Sequence, residues 1–341
     1  MTGKPDMRPR TLVVADVGGT KTAVAVVRAR PARGDAAAAP PPPAVLRQSV
    51  TPTVQSSSEA CLASIVECIG AMVSWVERRG GGALDAIAVG TASMVDFAGG
   101  RIVASVNLPL RDVPLRDLLS DRFSVPVAID NDATVAALGE HEFGAGAGTR
   151  EMLMLTLGTG VGGGIIAGGR PYRGASGAAG ELGHVLVSVE GPPCPGAGCP
   201  NHGCLEAYVS GTAMGAAALG EAQAKPASSL GRALLAGEPL DGALLTRLAL
   251  AGDPDAVALV ERTGEYLGAG LVTLVNVFNP EVVVIGGAAA AAGELLLAPA
   301  RSVLAARALR PQRDEARVVP AHFGTDAGIV GAAALAVTEL F

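Results

Sequence analysis

The chain alternates short apolar runs, glycine-rich turns and longer stretches in which apolar residues recur every three or four positions. Thr11-Leu-Val-Val-Ala-Asp16 is an apolar run, Val17-Gly-Gly-Thr20 punctuates it, and Thr22-Ala-Val-Ala-Val-Val27 resumes with β-branched residues: strand, turn, strand. From Ser58 onward, Leu62, Ile65, Val66, Ile69, Met72, Val73 and Val76 keep the helical spacing, which ends at Arg78-Arg79 and Gly80-Gly81-Gly82. Cys61 and Cys68 lie near that stripe and read as packing residues. Further strands are predicted at Ala86 to Val89, Pro126 to Ile129, Met152 to Leu157 and Val282 to Ile285, with helical stretches between them. This alternation predicts an α/β fold.

Residues 28 to 43 are low-complexity and hold four consecutive prolines, which cannot donate to a sheet, so an exposed loop is expected there. An internal echo organises the rest. LVVADVGGTKTAVAVV (12 to 27) and LMLTLGTGVGGGIIAG (153 to 168) are both apolar strand, Gly/Thr turn, apolar strand. A duplicated chain of two lobes would face one glycine turn to the other across a cleft, gripping a polyphosphate from both sides. Gly158-Thr-Gly160-Val-Gly-Gly163 formally fits a dinucleotide fingerprint, with Glu181 beyond it. That motif needs a helix opening at its third glycine, whereas Gly164-Ile-Ile-Ala-Gly-Gly169 reads as a strand and another turn. No P-loop sequence occurs.

Composition narrows the classes. The 341 residues carry 26 Lys+Arg against 32 Asp+Glu, a net charge of −6, without a long basic block. That argues against nucleic-acid or anionic-membrane partners and for small molecules. The length suits about two domains. Mean hydropathy is high at +0.40, but Ala and Val interleaved with 46 Gly account for it. The most apolar window, Val282 to Gly293, is about a dozen residues where a bilayer span needs roughly twenty, so no span is expected. Lys4, Arg8 and Arg10 precede an apolar run that Asp16 breaks, which is not a signal peptide, and a cytoplasmic protein is expected. Cys194, Cys199 and Cys204 crowd together, and in a reducing compartment such a cluster points to metal.

Asp16-Val-Gly-Gly-Thr-Lys21, Asp130-Asn-Asp-Ala133, Leu157-Gly-Thr-Gly160, Gly180-Glu-Leu-Gly-His184 and Gly203-Cys-Leu-Glu206 occur in that order at compatible spacings. Together they resemble the ROK family of repressors, open reading frames and sugar kinases, and the match extends through Asn279 to Gly287 and Asp326 to Ala332. The resemblance implies a duplicated actin-like, ribonuclease H-like and hexokinase-type α/β fold with ATP and sugar in the cleft. It implies a small lobe over 11–130 to which a helix in 326–341 returns, a large lobe over 131–325 with a zinc loop at 184–204, and a disordered segment over 1–10. About ten residues before the first strand leave no room for the winged helix of ROK repressors, so an enzyme is expected rather than a regulator.

The resemblance also assigns roles. Asp132, after a strand and at a helix N-terminus, becomes the general base. Asp16 holds Mg²⁺ through water, with Gly18, Gly19, Thr20 and Lys21 beside it. Thr159 and Gly160 meet the β/γ-phosphates, and Gly286 and Gly287, ahead of an Ala-rich helix, meet the α-phosphate or adenosine. Asn107, Asn131, Glu181, His184 and Glu206 bind sugar hydroxyls. His184, Cys194, Cys199 and Cys204 form a structural Zn²⁺ site, although Ala197 stands where the family has a cysteine. If the Gly191 to Gly198 loop does not bring Cys194 inward, His202 is the substitute. Two further departures, Gly90-Thr-Ala-Ser-Met-Val95 in place of Gly-x-Pro-Gly and Leu110-Arg111 without an aromatic residue, are expected to border the sugar pocket. The implied activity is ATP-dependent phosphorylation of a hexose at its 6-hydroxyl, glucose to glucose 6-phosphate first, in glycolysis, by a homodimer. Fructose, mannose, N-acetylglucosamine and N-acetylmannosamine use nearly the same constellation. A non-catalytic ROK-type sugar sensor is the alternative from another class.

Overall fold

The computed structural model describes residues 8–30, 40–79, 83–196 and 198–341. Along its first half run β1 (Arg10–Val17), β2 (Lys21–Ala29), β3 (Ala44–Pro52), α1 (Ser58–Arg79) and β4 (Ala86–Thr91). Three short strands follow, β5 (Met94–Asp96), β6 (Arg101–Ala104) and β7 (Arg111–Val113), then α2 (Leu115–Phe123), β8 (Val127–Asn131) and α3 (Asp132–Phe143). The second half contains β9 (Met152–Leu157), β10 (Val161–Ala167), β11 (Arg170–Pro171), α4 (Glu206–Val209), α5 (Gly211–Ala224), α6 (Ser229–Leu235) and α7 (Gly242–Leu250). It closes with α8 (Pro254–Phe278), β12 (Val282–Gly286), α9 (Glu294–Arg307), α10 (Gln312–Glu315), β13 (Arg317–Pro320) and α11 (Ala327–Glu339).

The sequence echo becomes a topological one. One sheet runs β3-β2-β1-β4-β8 and the other β11-β10-β9-β12-β13. In each, two antiparallel hairpin pairings lead into two parallel ones: Val13 pairs with Val26 and Ile87, and Leu153 with Ile165 and Val283. Both faces of the central strands are covered, which explains why they read as continuous apolar runs rather than alternating ones. Leu12 and Val14 face α3 and α11, while Val13, Ala15 and Val17 face α1 and α2. Beyond the second sheet, α5 to α9 pack on Leu153, Leu155 and Ile285.

Helices α3 and α11 fill the middle layer between the sheets. Their backbones touch: a Cβ on Gly331 would meet the Val135 carbonyl, and one on Gly139 would lie 2.8 Å from Gly331 Cα. Glycine is required at that crossing. Buried Glu140 on α3 accepts the amides of His322 and Phe323, at 2.8 and 2.9 Å, and so ties α3 to the segment leading into α11.

Several expectations change. Arg28 and Ala29 belong to β2, and β3 occupies a region where no strand was expected; residues 31–39, like 1–7, 80–82 and 197, lie outside the described residues. Asp85 holds Arg8 and Arg10, and β1 opens at Arg10. Helix α1 is long and apolar enough to cross a membrane by length and composition, a longer apolar stretch than the Val282 to Gly293 window and a weak sign that core helices also give. Here its Cys61, Ile65, Ile69, Met72, Val73 and Val76 stripe packs against the first sheet.

Candidate active site

Asp16, Asp132, Leu157 and Gly286 all stand at or near the carboxyl ends of strands, the edge at which open α/β sheets bind ligands. At the first turn, Gly18 donates to the Lys21 carbonyl at 3.0 Å, and Thr53 Oγ1 locks the bend by donating to the Gly18 carbonyl at 2.8 Å. Gln55 Nε2 donates to the Gly19 carbonyl. Asn107 packs against Gly19, so the structure brings this residue to the first turn and not into the pocket described below. At the second turn, Gly158 donates to the Gly160 carbonyl at 2.9 Å, and the start of α5 braces the loop. Gly211 N–H donates to the Gly158 carbonyl at 2.7 Å and Thr212 Oγ1 to the Thr159 carbonyl at 2.9 Å.

Between the sheets lies a pocket of about 90 Å³. Ser93, Met94, Asn131, Asp132 and Ala133 form one wall, and Gly162, Gly163 and the segment Gly177 to Glu181 form the other. Asn131 caps α3, its Oδ1 accepting from Ala133 and Thr134 at 2.9 and 3.1 Å, while its Nδ2 reaches the Ser93 carbonyl at 3.2 Å. Asp132 is the first residue of α3, and its Oδ1 accepts the Ala133 amide at 2.9 Å and Asn131 Nδ2 at 3.1 Å. Burial above all, then the negative charges of Asp16 and Glu181, push its carboxyl up to about 6, against which backbone hydrogen bonds act. Asp16 is itself raised by burial, an effect that nearby Lys21 opposes. The start of α11 closes on Asp16 so tightly that Gly328 leaves no room for a Cβ. Anions at helix N-termini are favoured by the unpaired amides there.

Glu181 extends into solvent at the pocket edge, its Oε2 3.7 Å from His184 Nε2. His184 turns its other nitrogen toward the cysteines, with Nδ1 3.5 Å from Cys194 Sγ. Cys199 Sγ lies 3.8 Å from Cys204 Sγ, and the four donor atoms of His184, Cys194, Cys199 and Cys204 lie within 4.8 Å of one another. A tetrahedral Zn²⁺ with bonds of about 2.3 Å to sulfur and 2.0 Å to nitrogen sets S···S near 3.8 Å and S···N near 3.5 Å. The donor set fits that ion. Cys194 does turn inward, so the alternative ligand is set aside: His202 is exposed and its Nδ1 bonds the Gly191 carbonyl.

Glu206 is buried, 5% exposed, and does not line the pocket. Its Oε2 accepts the Val161 amide at 2.7 Å and its Oε1 lies 3.6 Å from Cys194 Sγ, so it links the second turn to the cysteine cluster. The alanines after Gly286-Gly287 form a short 3-10 turn, Ala288–Ala292, and the long helix starts only at Glu294. That corrects the Ala-rich helix expected there. Gly287 has φ +87° and its Cβ position collides with the Leu157 backbone, 2.5 Å away, so glycine is demanded by the turn itself. Of the two family departures, Ser93 and Met94 do line the pocket, whereas Leu110 is buried in the first lobe and Arg111 opens β7. Sequence reasoning missed Gly177 to Ala179 and the Asp130–Arg173 ion pair, for which no local pattern exists.

A model of the ROK family matches residues 13–339. A glucokinase of Halalkalibacterium halodurans is 39% identical over 246 residues, covering 72% of this chain and 74% of that protein. One from Streptomyces coelicolor is 35% identical over 330 residues, 94% of this chain and 96% of the relative. Regulators are also similar: a Caldicellulosiruptor protein named as a putative xylose repressor is 33% identical over 256 residues, 74% of this chain but 63% of its own length. A ROK family glucokinase from Streptomyces griseus, solved in complex with glucose and AMPPNP, superposes with a TM-score of 0.78 at 33% identity, covering 95% of this chain and 98% of that one. The duplicated sheets are thus the actin-like α/β fold of those kinases, and the chain belongs to the ROK family.

Proposed function

We propose that this protein is an ATP-dependent hexose kinase that transfers the γ-phosphoryl group to the 6-hydroxyl of glucose. The observation that carries the reading is Asp132: a carboxylate at a helix N-terminus, raised to about 6, on the wall of a pocket between the two sheets. A base poised near the working pH takes the hydroxyl proton efficiently. Asp132 removes the proton from the 6-hydroxyl, the oxygen attacks the γ-phosphorus, the bond to the β-phosphate oxygen breaks, and ADP leaves. The two glycine turns, with Thr20, Lys21, Thr159 and Gly160, hold the phosphates. Asp16 is the carboxylate suited to Mg²⁺, which when bound neutralises charge on the phosphates. Glu181 and His184 at the pocket edge receive sugar hydroxyls, and Asn131 shapes the wall while holding α3. His184, Cys194, Cys199 and Cys204 would hold a structural zinc, their four donors filling a tetrahedral set.

The similarity to glucokinases selects glucose first, and the S. griseus relative with glucose and AMPPNP supports both ligands. The xylose repressor keeps the sensor reading in play. Two measurements on the same sugars separate them: coupled ADP release and calorimetric binding with glucose, fructose, mannose, N-acetylglucosamine and N-acetylmannosamine. Turnover highest on glucose is expected. Sugar binding without ADP release on any of the five would establish a sensor.

A further inference from the structure

We propose that Arg173 is a positioning residue that holds both walls of the pocket at once, fixing Asp132 on one side and the Glu181 loop on the other. The inference rests on the kinase reading above and adds to it a residue outside the expected set.

The sequence places Arg173 just beyond β11, at the end of the second sheet. Its guanidinium reaches three other parts of the fold. Nε donates to Asp130 Oδ2 at 2.8 Å, at the end of β8 in the first sheet. Nη2 donates to Glu339 Oε1 at 2.7 Å, on the last turn of α11. The guanidinium carbon lies 3.6 Å from the ring centroid of Phe97, in the turn after β5. A planar fork can serve three partners in this way where an ammonium cannot.

Two routes lead from Arg173 to the pocket, one through the guanidinium and one through its main-chain carbonyl. Asp130 is 2% exposed and its other oxygen accepts the Asn131 amide at 2.9 Å. Asn131 in turn caps α3 and touches Asp132 Oδ1. On the other side, the Arg173 carbonyl accepts the Ala179 amide at 3.1 Å, which closes the loop that carries Gly177 to Glu181. Gly177 packs directly against the Val95 carbonyl, so that loop spans from one wall to the other. Without the guanidinium, Asp130 would be a buried carboxylate with its ion pair lost, which a protein relieves by protonation or movement. Either change acts on the Asn131 amide and through it on the start of α3. Burial already raises Asp130 against the opposing effect of Arg173.

The test compares Arg173→Met, which keeps a flexible stem over Phe97 without the charge, with Arg173→Lys, which keeps the charge without the fork. On the full chain, kcat and the sugar KM are measured along with amide hydrogen exchange of the segment 131–136. Misplacing a catalytic group by about 1 Å can cost on the order of a hundredfold. Arg173→Met is expected to lose tenfold or more in kcat and to speed exchange at Ala133 and Thr134, but to change KM by less than about threefold, because the Ala179 amide keeps its bond to the Arg173 main-chain carbonyl; Arg173→Lys is expected to fall between. Wild-type kcat and wild-type exchange in Arg173→Met would overturn the inference. If Arg173→Met does not fold, Glu339→Ala removes the acceptor on α11 and is expected to lower kcat several-fold with accelerated exchange; no change in either would again overturn it. A wild-type chain that phosphorylates no hexose refutes the kinase reading instead, so the two failures are distinguishable.

Discussion

At the scale of single residues, Asp132 makes the sharpest prediction. With a carboxyl at about 6, the base is charged only above that pH, so kcat/KM is expected to fall about tenfold per unit as pH drops below 6. Asp132→Asn is expected to lose turnover by roughly a thousandfold or more while still binding sugar. The same shift predicts stability. A carboxyl whose folded value exceeds its unfolded one favours folding fully below the unfolded value, and that contribution disappears as pH rises through 6. Asp132→Asn is therefore expected to unfold at a higher temperature than wild type at pH 7 to 8, by on the order of 3 kcal/mol of stability, with the gap closing near pH 4. Thermal melts across pH check it; a variant less stable than wild type at pH 8 would contradict the burial cost. Asp132 was legible because its motif, Asp130-Asn-Asp-Ala133, is contiguous. Arg173 was not, because its partners lie 43 and 166 positions away and nothing local marks them.

At the scale of elements, the loop from His184 to Cys204 predicts one zinc per chain by metal analysis. Chelation is expected to lower the melting temperature by at least about 5 °C, since metal binding is folding free energy for such a loop. It should also raise the sugar KM, because His184 is shared between the cluster and Glu181. A chelated protein with unchanged melting and KM would count against a structural ion. The crowding of Cys194, Cys199 and Cys204 pointed to metal, and the family resemblance supplied His184 as the fourth ligand. Other elements resisted. β3 is an edge strand whose Val45, Leu46 and Val50 are exposed, so it lacks the buried apolar face by which a strand is read. The run after Gly287 looked helical from its alanines, yet the left-handed Gly293 ends it after one turn. Propensity yielded there to the close packing of the turn against Leu157.

For the molecule as a whole, the duplication was visible because an apolar strand, a glycine turn and a second strand recur with little change, and the two sheets share one order of pairings. The sheets are joined through the α3–α11 crossing, which small residues make slender. Rotation about that layer would narrow the pocket, so glucose together with a non-hydrolysable ATP analogue is expected to reduce the radius of gyration in small-angle scattering. An unchanged radius would mean the walls already stand at their working distance.

Helix α11 has a consequence for how the protein comes into being. It covers the inner face of β1, β2, β4 and β8, although some two hundred residues of chain separate it from the last of those strands. During synthesis, Leu12, Val14 and Ala88 have only α3 to cover them until residue 339 has left the ribosome, while the helices around α8 can already settle on β9. The earliest-made sheet is therefore finished last, and part of the apolar face of the nascent N-terminal half stays open until the chain is nearly complete.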